Sequence, residues 1–163
     1  VRRRTPRAVK REREAARASP EGQGGLSASP AVNCYLIALA HSSVCDESTK
    51  ELSLFQLVIS AKHVLSEFGL IAPYAPVFLL ESTSVGFDVE VRSVWVPYAL
   101  NAPDEHEEAT RISIQASRTY LRKPSCRLPT APGIYDLMLE WRSVGGTWLR
   151  SAARFPVAFE ERM

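Results

Sequence analysis

A chain of 163 residues with 45% hydrophobic content has the length of one domain and enough apolar surface to close a core. Its formal net charge of +2 excludes a uniformly polybasic or polyacidic chain, but residues 1–17 hold seven Arg and one Lys against two Glu, leaving the remainder weakly acidic. No stretch reaches the ~20 consecutive apolar residues of a membrane-spanning helix.

Residues 1–32 carry few large apolar side chains and much Arg, Ala, Ser, Gly and Pro. Such a composition cannot bury enough surface to offset the entropy of ordering, so a disordered basic arm and linker is expected there. Residues 8–18 contain helix formers but are too few for a stable isolated helix. Arg2, Arg3 and Arg4 are followed by no apolar h-region, and no export signal is read.

A domain over residues 33–163 is expected to be mainly β. Residues 33–41 form a nearly continuous apolar run suited to a strand buried on both faces. In residues 53–68 Leu54, Leu57, Val58, Ala61, Leu65 and Phe68 have helical spacing, whereas residues 51–59 carry the Leu, Phe, Val and Ile content of a strand. The strand is preferred, with a short helix near 60–69 compatible with either assignment. Residues 74–82 read as a further strand. Val85, Phe87, Val89 and Val91 alternate with polar residues, as do Ile112, Ile114 and Ala116, the two-residue period of a sheet with one wet face. Pro132-Gly133 announces a strand in which Tyr135, Leu137, Leu139 and Trp141 alternate inward. Gly145-Gly146 then turns into a last strand in which Leu149, Ala153, Phe155, Val157 and Phe159 share a face. Pro156 requires that strand to be an edge at that point. About seven strands with few helices imply an antiparallel two-layer β-sandwich, immunoglobulin-like or related, with long loops at 97–109 and 118–131.

The strand-bearing residues Tyr35 to Ala40, then Lys50-Glu51-Leu52-Ser53-Leu54-Phe55, then Pro132-Gly133-Ile134-Tyr135, resemble a bacterial family of small single-domain β-sandwich proteins of unknown function. The likeness covers about residues 33–159. Phe55-Gln56 departs from the glycine such proteins often place after the first Leu-Ser-Leu. The resemblance implies a sandwich fold and transfers no catalytic residues.

Chemistry-bearing clusters are sparse. Asp104-Glu105-His106-Glu107-Glu108 lacks the ligand spacing and glycine of a Ca²⁺ loop and reads as a solvated loop tip. His41, Cys45 and Cys126 lack a nearby fourth zinc ligand. Three cysteines without a CxxC pair argue against a disulfide-built secreted scaffold and for a cytoplasmic protein, with Cys34 a buried thiol. No phosphate-cradling or nucleophile-elbow motif occurs, and no catalytic residue, metal or cofactor is assigned. The expected role is a non-enzymatic module that binds another protein through sheet edges or loops, with Tyr98 and Tyr120 as candidate contacts. Core packing is the preferred assignment for Trp95 and Trp148. The alternative is a nucleic-acid accessory protein using Arg2, Arg3, Arg4, Arg7, Lys10, Arg11, Arg13 and Arg17, which can neutralise phosphates without aromatic residues to stack on bases. A second alternative is an enzyme with an unrecognised site.

Overall fold

Side chains that alternate in character along a strand need one apolar surface to face and one wet one, and this chain meets that need with two sheets laid face to face. The structure, a computed structural model, describes residues 31–46, 48–49 and 51–163. The basic arm, residues 1–30, lies outside the described residues. The strands are β1 (Val32–Cys45), β2 (Leu52–Leu57), β3 (Ser60–His63), β4 (Ile71–Ala72), β5 (Ala75–Ser82), β6 (Phe87–Pro97), β7 (Glu105–His106), β8 (Thr110–Ile114), β9 (Arg118–Arg122), β10 (Cys126–Arg127), β11 (Gly133–Ser143), β12 (Leu149–Arg150) and β13 (Phe155–Glu161). The first sheet has the order β2-β1-β5-β9, and the second β3-β13-β11-β6-β7, with β8 on β6 and β12 on β11. A short β10-β4 ladder stands apart.

The connectivity is that of an immunoglobulin-like sandwich. In the usual lettering β1, β5 and β9 take positions A, B and E, while β13, β11, β6 and β8 take G, F, C and C′. β3 runs parallel to β13, the one departure from an otherwise antiparallel pairing scheme among the described strands. Tyr135, near the start of β11, sends its hydroxyl back to the Ala131 carbonyl at 3.0 Å, the tyrosine corner that fixes the turn entering strand F. Leu137, two residues on, occupies the place of the second antibody cysteine. The three cysteines are unpaired, and apolar packing of Phe78, Leu137 and Trp95 replaces a disulfide. Trp95 meets Phe159 edge-on at 5.3 Å and Tyr135 at 6.4 Å between ring centres.

Several expectations change in detail. Residues 53–68 contain β2, β3 and a single 3₁₀ turn, Leu65–Glu67, and no α-helix occurs among the described residues. Their helical spacing arises because the chain changes sheets within the segment: Gln56 sits in the left-handed region (φ 56°), and Val58 then enters the core. The stretch 118–131 is not a loop but carries β9 and β10. The closing strand is broken between β12 and β13, where the buried Ser151 hydroxyl is bonded to Leu139 N–H (3.1 Å) and Ala153 O (2.8 Å). That break resets the alternation, so Leu149 is exposed while Val157 and Phe159 point inward. Pro156 lies where β13 has β11 on one side only, because β3 pairs from Ala158 onward.

Replacing Tyr135 by Phe removes the corner bond with little change in volume. It should lower stability by about 1 kcal/mol in urea titrations with an unchanged m-value, while Phe78→Ala should cost about 3–5 kcal/mol.

Candidate functional site

The chain passes from β8 in one sheet to β9 in the other through residues 115–117 alone. Immunoglobulin-type sandwiches place a further strand, D, beside E. Here the described residues provide none, and β9 is the last strand of its sheet. The hydrogen-bond phase identifies the groups this exposes. Lys123 N–H bonds Pro76 O (3.0 Å) and Ser82 N–H bonds Ser117 O (2.8 Å), so the odd-numbered residues 117–123 direct their main-chain groups at β5. The N–H and C=O groups of Arg118, Tyr120 and Arg122 therefore face outward, away from the sheet.

A cavity of about 200 Å³ opens directly under this edge, between Val91 of β6, Leu139 of β11 and Leu121 of β9, with Thr110, Arg122, Lys123 and Pro124 at its mouth. It enters the core because no strand closes the flank. Thr110 and Lys123 also border a wider recess of about 540 Å³, walled by Glu105, His106, Glu107, Glu108, Cys126, Arg127 and Thr130.

The acidic loop on that wall is a set of fasteners rather than a solvated tip. Glu105 accepts from the Thr130 N–H and hydroxyl, each at 2.9 Å. Glu107 accepts from Arg127 N–H at 2.7 Å and pairs with Lys123. Asp104 pairs with Arg150 at 2.8 Å. These carboxylates meet main-chain and cationic donors of residues 123–130 and of β12, which sequence spacing could not show. Glu108 and His106 remain exposed. Cys126, in β10, is buried beside Ala72, whereas His41 and Cys45 belong to β1, so Cys126 is on a different strand from the other two residues weighed for zinc. Among the described residues no three such side chains stand together in metal-binding geometry.

Tyr120 is on β9 itself, half-buried, its hydroxyl 2.6 Å from Ser43 Oγ. Tyr120 lies opposite Leu79, and Leu79 opposite Leu36, so contact with Ser43 requires the distal part of β1 to curl back over the sheet. Tyr98 is elsewhere, on the outer face of the second sheet, exposed and hydrogen-bonded to Asp136 at 3.0 Å. That bond, then burial, raises its phenol above the ordinary tyrosine range. The two tyrosines therefore do not form one surface. The arm arginines and Lys10 lie outside the described residues.

The outer face near Tyr98 is a charge network. Trp148 is not in the core but held between the guanidinium groups of Arg92 and Arg142, 4.1 and 4.4 Å from its ring centre. Glu140, buried on this face, accepts from Arg92 Nε (2.7 Å) and Arg150 Nη2 (2.6 Å), with His106 Nε2 at 3.4 Å. Burial pushes its carboxyl up, but the bonds from Arg150 and Arg92 outweigh burial and hold it below the usual glutamate range. At the end of the sandwich His63 bonds Glu67 (2.8 Å) and Tyr74 (3.0 Å). That chain pins β3, and sequence gave no sign of it because Tyr74 is brought to His63 by the fold.

Comparison with known proteins finds no matching family model and no matching curated protein.

A depressed carboxyl stabilises the fold fully above the ordinary glutamate value of 4.5 and loses that contribution as pH falls through its lower folded value. Glu140→Gln should therefore be less stable at neutral pH but show a shallower loss between about pH 5 and pH 3 in acid unfolding. Burial raises the Cys34 and Cys126 thiols to about 12. Only Cys45 should react with a thiol reagent at neutral pH in the native protein, and all three after denaturation.

Proposed function

We propose that the chain is a non-enzymatic protein-interaction module of a bacterial cytoplasmic system and that the flank carrying β9 is its binding surface. One observation carries this: β9 is an edge with the outward main-chain groups of Arg118, Tyr120 and Arg122, its Leu121–Arg122 end borders a cavity that reaches core residues, and no strand among the described residues pairs with that edge. An edge of this kind recognises extended chain by main-chain bonds and selects it by the side chain that enters the pocket. The outer edge of β2 offers less. β2 is interrupted by the left-handed Gln56, and neither cavity borders it. The grouping nearest to a nucleophile, base and orienter, Tyr74 with His63 and Glu67, lines neither cavity, and burial raises rather than lowers the Tyr74 phenol. Unpaired cysteines suit a reducing compartment, and the bacterial assignment follows the strand resemblance.

A photo-crosslinking residue at Arg122, incorporated into the full chain in cells, should yield a discrete protein adduct, whereas the same residue at Tyr98 should not. Adducts at Tyr98 alone, adducts with nucleic acid in place of protein, or none at either position would count against this function.

A further inference from the structure

The flank also constrains the chemistry of what binds there. The cavity of about 200 Å³ is smaller than the ~300–1,000 Å³ of small-molecule sites, and its floor is aliphatic, Val91, Leu121 and Leu139. It has room for one branched side chain and offers few polar groups to orient a cofactor. The strand above it presents a different surface on its other face. Leu121 points into the sandwich, so the even-numbered Arg118, Tyr120 and Arg122 share the opposite, outer face of the strand. Arg118 shares Glu81 at 3.4 Å, both largely solvent-exposed. Arg122 stands opposite the fully buried Val77 and has no carboxylate partner among the described residues. Lys123 is held by Glu107, and Arg111 on the neighbouring β8 is exposed with no ion pair among the described residues. Arg122 and the Glu107-paired Lys123 are thus the charged residues lining the apolar cavity, Arg118 lies further along the same strand, and Glu108 lines only the wider recess.

We infer, building on the interaction role proposed above, that the partner is an extended segment that adds as a strand to the outer edge of β9, occupying the vacant D position, with aliphatic side chains alternating with acidic ones. Its period of two places one aliphatic side chain in the cavity and the acidic side chains along the outward row that carries Arg118, Tyr120 and Arg122. The outward N–H and C=O groups of Arg118, Tyr120 and Arg122 receive its main chain. Cations on an edge discourage pairing with another copy of the same basic edge, so the same residues that admit an acidic strand disfavour self-association there.

The test uses the full chain and a fluorescent, end-blocked peptide alternating glutamate with valine and leucine. Anisotropy should show saturable binding that weakens at least about tenfold when lysine replaces glutamate in the peptide, when Arg122→Glu reverses the rim charge, and when salt is raised. Amide exchange should slow at Arg118, Tyr120 and Arg122. Tyr120→Pro removes an outward donor at an edge position that tolerates proline and should abolish binding; if that variant loses cooperative unfolding, Arg122→Glu decides the matter alone. Binding indifferent to Arg122→Glu, protection at β2 or β8 instead of β9, or a dimer of the chain that Arg122→Glu dissolves would each overturn the inference. If Arg122 crosslinks to a protein but the acidic peptide does not bind, the inference falls and the interaction role stands; if both fail, both fall.

Discussion

The indole N–H of Trp95 has to find an acceptor inside the core, and it finds the Arg127 carbonyl 2.8 Å away. That bond ties strand C of one sheet to β10, which is otherwise held only by its short ladder to β4 and the backbone bonds beside it. With β10 held there, Cys126 and Leu128 are buried, and the Arg127 N–H is directed to Glu107. The Glu107 carboxylate in turn holds Lys123 at the lip of the cavity. The Trp95 bond thus joins the β10–β4 and β9–β5 ladders in positioning the flank.

The same flank is open because of connectivity. A three-residue crossover from β8 to β9 leaves no chain to form strand D, so the two sheets are unequal where they meet. A sandwich with an incomplete side either buries that side against something else or protects it with charge. This one uses charge: Arg122 and Lys123 line the cavity beside its aliphatic floor, and Arg118 lies further along the same edge. The opposite face of the second sheet is closed by another device, Trp148 clasped by Arg92 and Arg142 and Glu140 clasped by Arg92 and Arg150, which leaves little there that is unsatisfied.

Alternation was a sound guide wherever a strand ran unbroken between turns. Val89, Val91 and Trp95 on β6 and Tyr135, Leu137 and Leu139 on β11 are all core residues, as a period of two requires. The guide weakened where the chain changes phase or sheet. The break at Ser151 sends Leu149 to solvent, and the crossover at Val58 produces spacing that imitates a helix. β9 was hidden for a different reason: at five residues, flanked by arginines and with a tyrosine facing out, it has too little apolar content to stand out from a loop. Tyr120, a candidate contact from the sequence, does lie on the open edge, but its own hydroxyl is engaged by Ser43.

By itself the sequence determined which residues can be inside an all-β domain, because side-chain direction in a strand is a local property of the backbone. It also determined that the cysteines have no local partner and that Pro156 needs an unpaired neighbour. Only the tertiary structure decided that the acidic loop fastens the turn after β9, that Trp148 sits between two arginines, and that an aliphatic cavity lies beneath a cationic edge. Each of these joins residues far apart in the chain, and their meeting depends on which strands are neighbours and on where the crossover from β8 to β9 leaves a sheet unfinished.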